Sequence, residues 1–220
     1  MKKEFPDKRT IIIFTGGPGT GKSGTARRFL KYVDNKEIET ISYDAIKEKN
    51  WDLFGFDNNR QKDRLNAWGL EEFYLTIQKK MWENKTILIE YPFYQRHKPR
   101  LEELIDEFQY CAVTVFLYTD MHTVYERGAV RDNGGTRHPG HLLDCYHIET
   151  YKPEMLHGIS RQIQTYEEFF KSIAHKDYDI SLGLRIAVDV TDFKTVNYGD
   201  IYRKIVEYQG KRESPPVNRD

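Results

Sequence analysis

Eight residues near the start of the chain, Gly16-Gly17-Pro18-Gly19-Thr20-Gly21-Lys22-Ser23, have types and spacing suited to holding phosphate. They fit the G-x-x-x-x-G-K-[ST] pattern of a P-loop. Glycines let the backbone curl until successive N–H groups point inward, and the positive end of a following helix adds to the field. Lys22 can then reach the β- and γ-phosphates of a nucleotide as a point charge, and the Ser23 hydroxyl can ligate Mg²⁺. The nucleotide contacts are expected at Gly17, Gly19, Thr20, Gly21, Lys22, Ser23 and Gly24, with ATP and Mg²⁺ as the cofactors.

Five further groups have positions that could serve chemistry on a bound nucleotide. Asp44, in Ser42-Tyr43-Asp44, falls just after the strand predicted at 39–42 and could accept the proton of an attacking hydroxyl. It could equally cap a helix beginning at Ala45. Glu90 closes the run Thr86-Ile87-Leu88-Ile89, where it could hold a Mg²⁺-bound water or accept hydrogen bonds from a hydroxylated substrate. Tyr91, Phe93 and Tyr94 come next; aromatic faces suit a ring substrate, and they suit packing at least as well. Arg127 and Arg131 stand i, i+4 on one helix face and Arg137 lies just beyond. Arginines stabilise the charge spread over a phosphoryl group in flight, so Arg131 and Arg137 are assigned to the phosphates and Arg127 to the adenine. With Glu126, Arg127 and Arg131 also read as an ordinary solvated face. His138 and His141 flank Pro139-Gly140 and are taken as loop structure or phosphate contacts rather than metal ligands.

These groups need a scaffold that brings strand ends and helix starts together. Thr10-Ile11-Ile12-Ile13-Phe14 is an apolar run of the kind found in central parallel strands, and Ala26, Phe29, Leu30 and Val33 repeat at helical spacing after the loop. Further strands are predicted at 39–42, 86–89, 112–118 and 184–190. Helices are predicted at 121–131, 159–173 and 200–208, with Leu101, Leu104, Ile105 and Phe108 marking one more. A long helix carries Leu65, Trp68, Phe73, Ile77 and Met81 on its inner face. Strand and helix alternate, so the expected architecture is a three-layer α/β/α P-loop NTPase fold with a parallel five-stranded sheet and a helical lid. Residues 1–209 read as one domain and 210–220 as a disordered tail. The segment 131–151, with Gly134-Gly135 and Pro139-Gly140 among polar residues, reads as the lid.

Composition narrows the classes. The chain has 220 residues with 34 Lys and Arg against 34 Asp and Glu. That balance supplies no global field to recruit nucleic acid or an anionic membrane. Two cysteines, Cys111 and Cys145, are too few for a disulfide framework, and no long apolar span is present. Both facts fit a cytoplasmic protein with no membrane partner. GTP-specific switches need Asn-Lys-x-Asp, which Asn35-Lys36-Glu37-Ile38 fails, and Asp52-Leu53-Phe54-Gly55 follows a polar stretch rather than a strand. An ATPase motor would carry an Asp-Glu pair where this chain has Ile89-Glu90.

Gly16–Ser23, Ser42-Tyr43-Asp44, Glu90, Glu126-Arg127 with Arg131, and Arg137-His138-Pro139-Gly140-His141 occur in an order that resembles small P-loop kinases of the zeta-toxin and chloramphenicol-phosphotransferase kind, akin to polynucleotide and nucleoside monophosphate kinases. The resemblance implies an ATP-dependent kinase in which Lys22 binds the γ-phosphate, Asp44 activates the acceptor hydroxyl, Glu90 touches the acceptor and two lid arginines clamp the phosphates. Nucleoside monophosphate kinases have Asp-Gly-x-Pro-Arg where this chain reads Glu90-Tyr91-Pro92-Phe93. A small hydroxylated metabolite, sugar nucleotide or antibiotic is therefore the expected acceptor. A nucleic-acid end or nucleotide is the alternative acceptor, and a nucleotide-dependent binding module without efficient transfer is the alternative activity.

Overall fold

The computed structural model describes residues 3–133, 137–156, 165–174 and 176–212. Five strands form one sheet: β1 (Thr10–Thr15), β2 (Glu39–Ser42), β3 (Ile87–Glu90), β4 (Cys111–Tyr118) and β5 (Leu184–Asp189). The helices are α1 (Lys22–Val33), α2 (Tyr43–Phe54), α3 (Asn59–Trp82), α4 (Lys98–Glu107), α5 (Met121–Asn133), α6 (Tyr166–Ala174) and α7 (Tyr198–Arg212). The strand order is β2-β3-β1-β4-β5, all parallel where the register is defined. From β1 the chain goes first to the edge strand β2, returns to β3 beside β1, then crosses to the other side for β4 and β5. That reversal makes the carboxyl ends of β1 and its neighbours a topological switch point, where open α/β sheets take their ligands. The register pairs Phe14 with Glu90 and Thr15 with Phe116, so β3 ends one position before β1 and β4 runs two positions past it.

The chain packs as two compact units. The first comprises Met1–Ile41, Ile77–Thr119 and Asp177–Asp220; the second comprises Ser42–Thr76 and Asp120–Lys176. In the first unit every residue of β1 and β3 is buried, as a strand covered on both faces requires. Phe14 and Phe29 meet with ring centroids 5.6 Å apart, joining β1 to the apolar face of α1. Val113, Val115, Ile186, Ile201 and Ile205 extend this core toward β5 and α7. In the second unit Trp51, Phe56, Leu143 and Tyr146 form a separate core, with Leu65, Tyr151 and Leu156 against it.

Four expectations change. Helix α2 begins at Tyr43 rather than Ala45, and its N-cap is Ser42, whose side chain accepts from the Ala45 N–H. Asp44 therefore lies inside the first turn and is not the cap. Trp68, expected on the inner face of α3, is 54% exposed and stacks on Phe54. It stands five residues before Phe73, about 140° round the helix from the Phe73-Ile77-Met81 row. Helix α7 starts two residues earlier than predicted and runs to Arg212, so 210–212, placed in the tail by the sequence, are helical; 213–220 lie outside the described residues. The predicted 159–173 helix is observed as α6, while 157–164 and the lid glycines Gly134-Gly135 lie outside the described residues.

Candidate functional site

In the first unit the P-loop spans the gap from the end of β1 to the start of α1. Gly21 precedes the helix at φ 76°, a left-handed conformation, and a Cβ there would sit 2.4 Å from the Phe193 ring. Only glycine meets both demands. The first turn of α1 holds no acidic residue and its N-terminus receives no side-chain cap. Its N–H groups thus face a position suited to an anion. Thr20 Oγ1 donates to the Gly17 carbonyl at 2.9 Å and closes the loop. Lys22 is buried, and its Nζ donates to the carbonyls of Gly17 at 2.8 Å and Gly16 at 3.2 Å. The ammonium is thereby held along the rim of the loop it would serve.

Glu90, at the end of β3, is the polar neighbour that matters most. Its Oε2 accepts from the Ser23 hydroxyl at 2.9 Å, and its side chain is almost wholly buried. The adjacent register Phe14–Glu90 delivers this contact, because β3 lies directly beside the strand that feeds the loop. A hydroxyl and a carboxylate together form an all-oxygen donor set, which is the preference of a hard cation such as Mg²⁺. The residues present fit that ion. Tyr91 follows, its N–H donating to the Phe14 carbonyl at 3.3 Å. Its ring meets Phe93 at 5.1 Å and His97 at 5.6 Å. Phe93 is fully buried, so of the three aromatics after β3 it serves the core. Tyr94 stacks on Tyr178, ring centroids 5.0 Å apart, and Tyr178 comes to within 4.0 Å of where a Gly17 Cβ would stand. Burial holds the Tyr178 phenol above its ordinary pKa.

The second unit holds the other predicted residues. Asp44, two residues beyond β2, pairs with Lys47 at 2.6 Å. Arg127 and Arg131 lie on α5, Arg127 half-buried and Arg131 exposed, while Glu126 pairs with His122 at 3.2 Å. Arg137 lies just before a short 3₁₀ turn, Pro139–His141, and is half-buried.

Sequence reasoning missed the partners of the two histidines. His138 Nε2 lies 3.0 Å from Asp52 Oδ1, and the Tyr146 hydroxyl donates to the same oxygen at 2.6 Å. His141 Nε2 lies 2.9 Å from Glu48 Oε1, and its ring meets Trp51 edge-on at 4.8 Å. Asp44, Glu48 and Asp52 are thus successive i, i+4 positions on one face of α2, a periodicity the sequence did carry. Burial, then the charges of Lys47 and Arg137, pushes His141 down to about 3. Burial likewise raises Glu48 above the usual carboxylate range. Lys62, which donates to the Leu143 carbonyl at 3.1 Å, is lowered chiefly by burial. Lys47, Lys62 and Arg137 therefore form a cationic cluster beside the Trp51 indole, with Lys47 and Lys62 5.5 and 5.7 Å from the ring centre.

No protein-family model matches the sequence, and no curated protein matches it. Solved structures do. A candidate kinase from Chloroflexus aurantiacus superposes with a TM-score of 0.71 at 19% identity, covering 91% of this chain and 98% of its own. The chain shares the α/β fold of that structure. A gluconokinase from Sinorhizobium meliloti gives a TM-score of 0.47 at 16% identity, over 93% of this chain and 94% of its own. The PezAT toxin–antitoxin system of Streptococcus pneumoniae gives 0.44 at 17% identity, over 59% of this chain and 55% of the other. No helix among the described residues is long and apolar enough to cross a membrane.

Proposed function

We propose that the protein is an ATP-dependent kinase that transfers the γ-phosphoryl group to a hydroxyl of a small molecule. The observation that carries this reading is the Ser23–Glu90 hydrogen bond of 2.9 Å behind a P-loop whose lysine is already folded over it. A P-loop by itself speaks for a nucleotide; a buried carboxylate on its serine speaks for the metal-assisted chemistry of phosphoryl transfer. Mg²⁺, when bound, supplies charge neutralisation at the β- and γ-oxygens.

The chain's own residues do the rest. The N–H groups of Gly17, of Gly19 to Ser23 and of the start of α1 orient the phosphates, and Lys22 leaves the loop carbonyls for the β- and γ-oxygens. Asp44 accepts the hydroxyl proton of the acceptor as the new P–O bond forms. Arg131 and Arg137 meet the equatorial oxygens and Arg127 lies against the adenine. Tyr91, with the Tyr94–Tyr178 pair beside the loop, offers flat apolar surface for a ring-bearing acceptor. The cytoplasm is the compartment that fits, since ATP is present there and two cysteines outside any disulfide stay reduced.

Mg-ATP turnover measured with and without a panel of sugars, sugar nucleotides and hydroxylated antibiotics tests the assignment. One acceptor should raise ADP formation and appear phosphorylated, and Lys22→Ala should abolish both ATP affinity and transfer. Transfer to the 5′ end of an oligonucleotide in place of every small acceptor would reassign the enzyme to nucleic acid. ATP binding without turnover on any acceptor would leave a binding module.

A further inference from the structure

The second unit holds a group of side chains that the phosphoryl-transfer reading does not use. Phe56 and Tyr146 form an isolated antiparallel bridge and exchange N–H···O bonds of 2.8 Å in both directions. In an antiparallel pair the residues on either side of such a bridge point to the opposite face. Phe56 and Tyr146 enter the core, so their neighbours Asp57, Cys145 and His147 turn outward together. The register sets Asp57 opposite Cys145 and Gly55 opposite His147. Gly55 has φ 62°, and a Cβ on it would stand 2.1 Å from His147 Nδ1. Its bare backbone is what allows the imidazole to lie across the bridge and reach Asp57, with Nε2 and Oδ1 2.8 Å apart. One ligand atom from each of Asp57, Cys145 and His147 lies within 4.8 Å of the other two.

We propose that Asp57, Cys145 and His147 form a zinc-type metal site, in which a thiolate, an imidazole nitrogen and a carboxylate oxygen take three tetrahedral positions and a water takes the fourth. This donor set is the one that borderline-soft divalent ions select; magnesium and calcium prefer oxygen alone. Two nitrogen or oxygen ligands about 2.1 Å from a tetrahedral ion stand about 3.4 Å apart, so the His147–Asp57 pair opens by only roughly half an ångström. The frame is braced on both sides. The His147 carbonyl accepts from the N–H groups of Tyr151 at 2.9 Å and Thr150 at 3.2 Å, and the Asp57 N–H donates to Gln61 Oε1 at 2.7 Å. Binding releases the Cys145 thiol proton to solvent and needs His147 neutral with Nε2 bare, so affinity rises with pH. The ion would fasten the 143–151 segment to the turn between α2 and α3, on either side of the tyrosine that holds Asp52. Its role is to brace the second unit, and it is independent of the kinase assignment.

Untagged, reduced protein is titrated with Co²⁺ as an optical stand-in for zinc, then with Zn²⁺ by calorimetry. Cys111 is buried in β4, so a thiolate-to-cobalt absorption band reports Cys145. The expected result is one ion per chain, with that band lost in Cys145→Ser. Both Cys145→Ser and His147→Gln should lose more affinity than the roughly 10–100-fold that follows removal of an outer-shell partner. Zn²⁺ should also slow hydrogen exchange at 55–61 and 143–151 in wild type and not in either variant. Circular dichroism on both variants separates lost ligation from lost fold; Cys145 is exposed and His147 half-buried outside the Trp51 core, and native spectra are expected. Absence of the thiolate band, or Zn²⁺ affinity unchanged in folded Cys145→Ser and His147→Gln, overturns the site. No result on ATP turnover bears on it.

Discussion

At the residue scale the pairing of Ser23 with Glu90 makes a separable prediction. Glu90→Gln keeps a hydrogen-bond acceptor for the Ser23 hydroxyl but removes the negative charge that favours a cation. Mg²⁺-dependence should weaken while nucleotide affinity in the absence of metal stays near wild type. Calorimetry with ATP, with and without Mg²⁺, reads the difference, and equal metal-dependence in both proteins would remove Glu90 from the metal's surroundings. Asp44 gives a second test. Ser42, not Asp44, accepts from the Ala45 N–H, so Asp44→Asn leaves the cap intact. Transfer should fall by roughly 10²–10⁴, as for loss of a general base, with ATP affinity little changed. A kcat near wild type on an identified acceptor would leave Asp44 as the partner of Lys47 and no more. Losing that pair alone is a minor effect, since the Asp44 side chain is 48% exposed.

At the element scale, the polar segment taken from sequence as a lid is tied to α2 over its described part. His138 and Tyr146 share Asp52, and His141 meets Glu48 one turn earlier. Tyr146→Phe removes one of these fastenings and leaves the ring in its core position. The cost should be about 1.5–3 kcal/mol, the net worth of a hydrogen bond to a carboxylate. His138→Ala in the same background should cost less than the sum of the single changes, because both act on one carboxylate oxygen. Hydrogen exchange at 138–147 measures this. Faster exchange there, with the β-sheet amides unaltered, is expected; unchanged exchange at 138–147 in the double variant would show that the Trp51 core alone holds the segment. Arg131 and Arg137, if they act on the phosphoryl group in flight, should depress kcat more than ATP affinity when changed to Ala.

At the scale of the whole molecule, two histidines, His97 buried and His141 half-buried, contribute to the response to acid. Burial is the leading cause that brings His97 to about 4 and His141 to about 3, one in each unit. Unfolded, each titrates near about 6.5. Between about 6.5 and 4 the unfolded chain binds more protons than the folded one, so stability falls as pH falls and levels off only below the folded values. His97 Nδ1 accepts the Tyr94 N–H at 3.0 Å, a bond that Asn can replace without titrating. His97→Asn should therefore show a smaller drop in urea midpoint from pH 7 to pH 5 than wild type. An equal drop would mean that His97 is not among the groups responsible. Trp51→Ala probes the other core: with the side chain 1% exposed, a loss of about 3–5 kcal/mol is expected, falling first on exchange protection at 42–76 and 138–156.

The sequence by itself determined the parts that depend on local spacing. An apolar run, glycines at fixed offsets and a helical repeat of Ala26, Phe29 and Val33 are enough to define a strand, a phosphate-type loop and its helix, because each is settled by contacts within a few residues. The alternation of strands and helices likewise forces a parallel sheet. Tertiary structure decided what depends on which strand lies beside which. Glu90 reaches Ser23 only because β3 was placed next to β1, sixty-seven positions away in the chain. The same holds for His138 and His141, whose partners Asp52 and Glu48 are eighty-six and ninety-three residues distant. It holds too for Asp57, Cys145 and His147, which one backbone bridge brings to a common face. Hydrophobic periodicity records which side of an element is buried; it carries no record of which other element does the burying.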